Sequence, residues 1–556
     1  MRVKHSLWIL FGMALLLALA AACAGAEPAA TPTPTPPAVA TPTAIPTPTA
    51  IPTPTPTPGP KRGGTLKIGY FEDVRSVDPH RATSGWDRNW VFSVCDPVIA
   101  YGTDGKPDVK LSLAESYKLE DPQTLMVTLR KGLTSSYGEP VDAAAVKWSL
   151  DRILDPKENF SYREMLREID DIKVVDELTL RIHTANVFVP LLFGLGERGG
   201  CVASKKAWEE LGKEKWASQP KYAGAYVLKE WQPGSYFLQE KYPGYWFQDR
   251  AFVDALRWSI IPDERVRLAA LQAGDVDLAW LGGGAAAETA LKDPKVTMTF
   301  GMYGTKQMKF NHNRPPTNLL KVRQAAVMAM DFEAVNGALY RDMWETAQGG
   351  VMPSDNWAYI ELSNVRNKFD PAGARKLLQE TGLSLPIEVL AVEAGQEDTQ
   401  GAEFMQGYLK EIGINMKIQV VTTAEADKLR NQDRISHITW TSAGGRPEPD
   451  GMLSIHYKST GYYNWGAAGA EFGDAETKAA QKRVDEALDA AVRTFDLAER
   501  KRYYDVAQKD IVQYVLSGYP IYYRKMYAGS REWLKGVNKL WGGDGLLRVN
   551  NVWLEK

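Results

Sequence analysis

Apolar residues follow two different spacings along this chain, and segments of one spacing alternate with segments of the other. Every second position is apolar in GGTLKIGYF (63–71) and in DELTLRIHT (176–184), a spacing that predicts strands. In AAAVKWSLDRIL (143–154) apolar residues return every three or four positions, which predicts an amphipathic helix with Asp142 as its N-cap. Alternating strands and helices predict an α/β fold with mixed, mostly parallel sheets flanked by helices.

The same alternation continues toward the C-terminus. Gly274 marks the end of one helix, Asp370 and Pro371 the start of another, and Asp496 with Glu499 forms a capping box at the start of a third. We therefore expect helices over about 264–274, 371–382, 401–413, within 474–492 and from 497 onward, and strands over 276–280, 387–393 and 415–421.

The N-terminus has the features of an export signal. An apolar run, Leu7 to Ala22, follows Arg2 and Lys4 and is too short to span a bilayer comfortably. Three alanines precede Cys23, and the segment resembles the lipobox of bacterial lipoproteins. We expect residues 1–22 to be removed and Cys23 to be lipidated, which would anchor the protein to the membrane. The main alternative is secretion with an unmodified Cys23 thiol. A membrane-spanning helix is a second and lesser alternative.

A tract of alternating Thr and Pro follows, from Thr31 to Pro60. It has almost no apolar surface to bury, and its prolines fix φ, so an extended polyproline-like chain is expected. At about 3.1 Å per residue the tract reaches up to ~90 Å. Its position after Cys23 predicts a lipid-anchored linker over residues 23–60, with a generic disordered tail as the alternative.

The remaining residues, 61–556, are too many for one core, and we expect two or three lobes. The whole chain has 66 basic and 68 acidic residues, and the leader holds two of the basic ones, so no basic excess points to nucleic acid. Besides Cys23 only Cys95 and Cys201 occur. We expect two buried free thiols, with a disulfide as the alternative.

The sequence contains no motif of a known catalytic site. It has no HExxH, CxxC, GxxxxGK[ST] or GxSxG pattern. Gly194, Gly196 and Gly199 match GxGxxG, but Pro190 precedes them and the next helix is expected only after Ser204, which argues against dinucleotide binding. We therefore expect no enzymatic activity and no cofactor. An exported hydrolase with an unmarked site, acting on cell-wall or polymer substrate, is the alternative.

Six segments, in order and at the right spacing, carry a resemblance to a known family. They are GGTLKIGY with SVDPHRATSGWDRN, LAESYKLEDPQTLMVTLRKGL with PVDAAAVKWSLDRILDP, VLKEWQPGSYFLQEKYPGYW, IIPDERVRLAALQAGDVDLA, VRQAAVMAMDFEAV and FDPAGARKLL. The chain resembles the family 5 solute-binding proteins, the peptide and nickel class of receptors that serve ABC importers. The resemblance extends over essentially all of residues 62–550.

This resemblance implies a two-lobed clamp of the periplasmic-binding-protein type with an extra inserted domain. One lobe would consist of residues 61–100, 205–303 and 524–556, the insertion of 101–204, and the second lobe of 304–523. The chain would cross between the lobes near Tyr303 and Ile521.

The resemblance also implies a function without covalent chemistry. A monomer outside the cytoplasm, in the periplasm or at the outer face of the cytoplasmic membrane, would capture an oligopeptide or other small solute and deliver it to an ABC permease. An oligosaccharide is the alternative ligand.

One segment of the predicted second lobe, HITWTSAGGRPEPDGML (437–453), matches the family's ligand-binding segment. Trp440 corresponds to an aromatic wall residue, and Thr441 follows it. In peptide-binding members an aspartate three positions after this tryptophan holds the α-ammonium, but here that position is Ala443. A buried ammonium without an anion is unfavourable, so free-amine peptides are in doubt unless Glu448 or Asp450 substitutes.

Arg446 brings a cation into the same segment, where it would meet a ligand carboxylate or else be exposed on the surface. Trp86, Tyr303 and Trp357 are further candidates for ligand contact, because aromatic rings suit peptide side chains and sugars. The wider aromatic set contains Trp90, Tyr462, Tyr463 and Trp465, and for each the alternative is a core or surface role. His437 and His456 lack metal-ligand spacing, and we expect no metal site.

Overall fold

The computed structural model describes residues 59–82, 85–158, 160–465 and 473–556. The predicted leader, Cys23 and nearly all of the predicted linker lie outside the described residues. Among the described residues, no helix has both the length and the apolar character that crossing a bilayer requires.

Strands and helices alternate through much of the described chain. The strands are β1 (Thr65–Tyr70), β2 (Ala114–Asp121), β3 (Thr124–Leu129), β4 (Ile169–Val174), β5 (Thr179–Thr184), β6 (Tyr226–Gln232), β7 (Tyr236–Lys241), β8 (Ala255–Ile260), β9 (Leu278–Leu281), β10 (Val296–Phe310), β11 (Glu345–Thr346), β12 (Ile387–Glu393), β13 (Ile414–Val420), β14 (Ile438–Ala443), β15 (Gly518–Arg531), β16 (Leu534–Lys535) and β17 (Trp553–Leu554). The α-helices are α1 (Arg88–Val94), α2 (Ala143–Leu154), α3 (Leu191–Gly196), α4 (Lys205–Trp216), α5 (Glu264–Ala273), α6 (Ala285–Leu291), α7 (Leu320–Met328), α8 (Phe332–Val335), α9 (Pro371–Gln379), α10 (Gln396–Glu411), α11 (Thr423–Asp427), α12 (Asp450–Tyr457), α13 (Ala475–Ala491) and α14 (Leu497–Gln513).

The helix ends that were predicted from capping residues are confirmed. The Asp142 side chain accepts a hydrogen bond from the Ala145 N–H at 2.8 Å at the start of α2. Asp370 and Asp496 cap α9 and α14 in the same way. Gly274 ends α5 in the left-handed conformation, with φ of 82°, which a glycine adopts without strain.

The central sheet is mixed, in the order β13-β12-β14-β10-β15-β9-β1-β8-β7-β6, with β11 paired to β15. Its parallel pairs are β1 with β8 and β9, and β12 with β13 and β14. The other pairs are antiparallel, so the expectation of mostly parallel sheets is wrong. The short turn between β6 and β7 joins antiparallel neighbours, as is usual for a hairpin. β8 pairs antiparallel with β7 despite the longer connection 242–254, and β10 and β15 run in opposite directions.

The two longest strands, β10 and β15, lie side by side in the middle of this sheet. They pair from Val296 opposite Arg531 to Lys309 opposite Gly518, with an irregular register near Met302 and Thr305. Gly304 lies in this irregularity with φ of 62°, and a Cβ there would be 2.0 Å from the Ala443 carbonyl oxygen. The strands contain Tyr303 and Ile521, where the crossing between lobes is predicted; the lobe boundaries themselves stay predictions.

A second, four-stranded antiparallel sheet, in the order β2-β3-β5-β4, lies within the predicted insertion. It packs on α2 around a separate apolar core that includes Val127, Leu150 and Ile182. Cys95 and Cys201 lie where the chain enters and leaves this region, and they form a disulfide with Cα atoms 5.6 Å apart. The expectation of free thiols is therefore wrong. A backbone bridge between Pro97 and Cys201 brings the two cysteines together, which the 106-residue sequence separation does not reveal.

We predict that removing this disulfide lowers the free energy of unfolding by about 2–4 kcal/mol, because it closes a long loop in the unfolded chain. Guanidinium unfolding of the oxidised protein and of Cys95→Ala/Cys201→Ala measures the difference. Thiol titration of the unreduced, denatured protein checks the pairing, and it should find neither cysteine free. Identical unfolding midpoints for the two proteins would contradict the prediction.

Candidate functional site

A cavity of about 340 Å³ lies beside the middle of the central sheet. Its walls come from β10, from β14 and the loop after it, from segment 423–431, and from α12 and the loop that follows. Polar and aromatic side chains converge on it. A larger groove of about 650 Å³ lies at α9 and α10, but Phe369, Phe404 and Tyr408 make it mostly apolar, and Glu403 and Glu411 are its only charged wall residues. The smaller cavity is therefore the better candidate for a specific site.

Three of the predicted site residues line this cavity: Tyr303, Thr441 and Arg446. A fourth, Trp86, packs against the Tyr303 ring with the ring centroids 4.3 Å apart. Tyr463 and Trp465, from the wider aromatic set, also line the cavity, whereas Trp90 is buried in the core.

Trp440 lies outside the cavity walls. Its side chain is 0 % exposed, and its indole N–H donates to the Tyr340 hydroxyl at 3.4 Å. Its ring also packs near Tyr522, with centroids 6.2 Å apart. The ring also packs on α10, where a Cβ on Gly401 would be only 2.3 Å from it, so Trp440 is enclosed by protein and does not reach the cavity. Direct ligand contact by Trp440 stays a prediction.

Trp357 borders a second cavity, of about 140 Å³, which Arg446 also borders. The Trp357 ring centroid lies 5.7 Å from the Tyr504 ring centroid and 5.6 Å from the Arg500 guanidinium. Arg446 therefore borders both cavities, the one lined by Tyr303 and Thr441 and the one bordered by Trp357.

Lys309 is the functional candidate that the sequence analysis missed. Its side chain on β10 is only 3 % exposed, and its Nζ lies 4.6 Å from the Trp465 ring centroid and 5.4 Å from that of Tyr463. Burial, with Arg430 and Arg434 nearby, holds the pKa of Lys309 well below its usual value, and Asp427 opposes this shift. A lysine in a strand usually faces solvent, so no signal in the sequence marks this one.

Arg446 is a second cation that forms no ion pair with the described residues. Its Nη1 donates to the Gly445 carbonyl at 3.0 Å, and its Nε is buried without an acceptor. Burial, followed by the charge of Arg88, lowers the pKa of Arg446. Among the described residues, no carboxylate lies within 4.0 Å of Arg446 or of Lys309.

The other charged groups of the cavity form ion pairs or, for Asp427, hydrogen bonds with neutral groups. Arg430 pairs with Glu393 at 2.6 Å, although burial raises the pKa of that carboxyl to about 8. Asp398 pairs with Lys306. Asp427 accepts a hydrogen bond from the Asn431 amide at 2.8 Å.

The acids that were proposed to replace the missing aspartate are used elsewhere. Ala443 is buried, as is Glu448, which accepts hydrogen bonds from Arg500 at 2.9 and 2.6 Å. Asp450 accepts one from the Ser454 hydroxyl. None of these three residues lines the cavity, so neither Glu448 nor Asp450 is placed to hold an ammonium there.

The two histidines differ: His437 is bound to the backbone, whereas His456 lines the cavity. His437 Nδ1 accepts a hydrogen bond from the Leu390 N–H at 3.1 Å. His456 stacks on Tyr463 at 4.9 Å, and burial, followed by the charge of Lys309, lowers its pKa well below the usual value. In the described part of the chain, no three His, Cys, Asp or Glu side chains form a group suited to a metal ion.

A buried ion-pair network holds the loop that carries Arg446. Arg88, fully buried on α1, pairs with Glu197 at 2.8 Å and with Asp544 at 3.3 Å. It also donates to the Gly445 carbonyl at 3.1 Å. One side chain thus connects segments that the sequence analysis assigns to different lobes and to the insertion.

We predict that Arg88→Met lowers the free energy of unfolding by about 3–5 kcal/mol, because it leaves buried carboxylates without their cation. Chemical denaturation measures the change. Arg265→Met is the matched control, since that arginine is 89 % exposed and its removal should change stability by less than about 0.5 kcal/mol. Equal effects of the two substitutions would refute the structural role of Arg88.

Comparisons with known proteins agree on one family. Residues 108–464 match the model of the bacterial extracellular solute-binding proteins, family 5 Middle. The glutathione-binding protein GsiB of Salmonella paratyphi A is 28 % identical over 447 residues, which cover 78 % of this chain and 85 % of that protein. GsiB of Escherichia coli K12 is 27 % identical over the same length.

Solved structures show the same fold. The periplasmic binding protein DppA of Helicobacter pylori, in complex with the peptide STSA, superimposes with a TM-score of 0.77 at 22 % identity, covering 89 % of this chain and 99 % of that one. AgaA of A. tumefaciens R10, in complex with agropinic acid, gives a TM-score of 0.75 at 22 % identity with the same coverage.

Proposed function

This chain belongs to the family 5 bacterial extracellular solute-binding proteins, and from that premise we propose that it captures a peptide-like or other small solute between two lobes and delivers it to an ABC permease. Proteins of this family are extracytoplasmic binding components of ABC importers, not enzymes. A ligand that contacts both lobes would bind the closed clamp more tightly than the open one. This difference in affinity would shift the equilibrium toward the closed clamp.

The observation that carries the proposal is the cavity of about 340 Å³ and the origin of its walls. Gly85 belongs to a piece of the predicted first lobe, whereas segment 423–431 belongs to the predicted second lobe. The volume is at the lower end of the usual range for small-molecule sites, about 300–1,000 Å³. This supports a small solute as the ligand, and the relatives' glutathione and peptide ligands are consistent with it.

The same proposal includes the lobe boundaries and the anchor. The lobes would be 61–100 with 205–303 and 524–556, and 304–523, with 101–204 inserted. The positions of β10 and β15 at the predicted crossings support this division. Lipidated Cys23 and the linker 23–60 would hold the monomeric receptor at the membrane, a proposal that rests on the sequence alone.

We predict that the mature protein is stabilised against heat by one class among pooled small peptides, oligosaccharides and metal complexes. A ligand at a hundred times its dissociation constant adds about 2.7 kcal/mol to the folded state, enough to raise Tm by a few degrees. Differential scanning fluorimetry measures the shift, and chromatography should recover the ligand chemically unchanged. Catalytic consumption of any compound, or no shift with every pool, would contradict the receptor function.

A further inference from the structure

Two cations, the buried Lys309 and the half-buried Arg446, line the cavity, and neither forms an ion pair with any described residue. Lys309 makes cation–π contacts with Tyr463 and Trp465 but no ion pair with any described residue. Within the described part of the chain, the Arg446 guanidinium donates to the carbonyl of its neighbour, Gly445, and its Nε has no acceptor. A buried, unpaired charge is unfavourable for folding, so a partner supplied by a ligand would remove a penalty that the empty protein carries.

The remaining charges of the cavity do not compensate these two cations. Arg430 is paired with Glu393, and Asp398 with Lys306. Asp427 is the one wall carboxylate without a basic partner among the described residues, and it accepts hydrogen bonds from neutral groups, the Asn431 amide and the Tyr462 hydroxyl. The walls therefore carry more unpaired positive than negative charge, and a solute with an anionic group fits them best.

We propose that the solute carries a carboxylate that binds between Lys309 and Arg446, and that a free α-ammonium is not required for binding. This inference rests on the proposed receptor function and specifies the chemical class of its ligand. Ala443 carries no charge, and Arg500 engages Glu448 while Ser454 engages Asp450, so neither substitute acid faces the cavity. Among the described residues, Asp427 is the wall carboxylate left to meet an ammonium, and it already accepts hydrogen bonds from Asn431 and Tyr462. The Tyr463 and Trp465 rings beside Lys309 give the apolar part of the solute a surface to pack on.

Three versions of one pool of di- and tripeptides test the inference on the mature wild-type protein. The first has free termini, the second has its carboxylate converted to an amide, and the third has its amine acetylated. Thermal shift identifies the strongest ligand, and calorimetry measures its affinity in each form. We expect amidation to weaken binding about ten- to a hundredfold, because it removes a hydrogen bond between charged groups. Acetylation should change the affinity less than about threefold.

Each other outcome overturns the inference, and an oligosaccharide pool measured in parallel keeps the receptor function separate. Equal binding of acid and amide removes the carboxylate from recognition, although the protein is then still a peptide receptor. Loss of binding on acetylation alone means that the ammonium is recognised instead. If only oligosaccharides bind, the inference fails and the receptor function stands; if nothing binds, both fail.

A matched pair of substitutions tests Lys309 itself. Lys309→Met keeps the aliphatic stem but removes the charge, so it should reduce the discrimination between acid and amide, with Arg446 left as the remaining cation. It should not lower Tm in the absence of ligand, because it removes a buried charge that has no partner. Lys292→Met is the control, since that lysine at the end of α6 is 72 % exposed, pairs with Glu288 and does not line the cavity, and it should alter neither measurement.

A purely structural lysine would give the opposite pattern for Lys309→Met, a lower Tm with the discrimination between acid and amide retained, and that result would overturn the assignment. If Lys309→Met does not fold, Arg446→Met takes its place. The same two quantities then decide the question: Tm without ligand, and the ratio of the affinities for acid and amide compared with that ratio in the wild-type protein.

Discussion

The antiparallel pairing of β10 with β15 is the constraint on which the rest of this structure depends. The two strands pair over almost their whole lengths and separate β14, β12 and β13 on one side from β9, β1, β8, β7 and β6 on the other. Lys306 on β10 and Arg524 on β15 both reach Glu397 at the start of α10, at 2.6 and 3.7 Å. The pairing thus fixes the sheet and also the charged groups beside the cavity.

The contrast between paired and unpaired charges separates structural residues from candidate binding residues. Arg88, Arg430 and Lys306 are buried with carboxylates in contact, and their charges are satisfied within the fold. Lys309 and Arg446 have no such partner among the described residues. A folded protein tolerates such an arrangement when it serves binding, because polar groups left unsatisfied in the empty state strengthen the interaction with a complementary ligand.

Local features of the fold could be predicted from the sequence, but the pairing of distant strands could not. Asp142 and Gly274 act on backbone groups within a few residues, so a helix end is visible in its own segment. Strand direction depends on partners hundreds of residues apart, as in the pairing of Val296 with Arg531, and the hydrophobic pattern does not identify them. For the same reason the sequence favoured free thiols over the Cys95–Cys201 disulfide, which was kept as the alternative.

The candidate site was predicted in part. Arg446 belongs to the segment that the family resemblance marked, and Tyr303 was a candidate as an aromatic residue in a loop-like setting; both line one cavity. Resemblance could not indicate that Trp440 lies on the buried side of β14, or that Lys309 approaches from β10, because both facts depend on strand register. Charges without partners become visible only once all the neighbours of a side chain are placed.

A crystal structure of the mature protein with the peptide that stabilises it most tests the central claim most directly. The account predicts that the ligand occupies the cavity beside β10, with a carboxylate oxygen at about 2.7–2.9 Å from Lys309 Nζ and within hydrogen-bond distance of the Arg446 guanidinium. Ligand density in the groove beside Phe369 and Tyr408, or a ligand in the cavity with its carboxylate directed away from both cations, would contradict it.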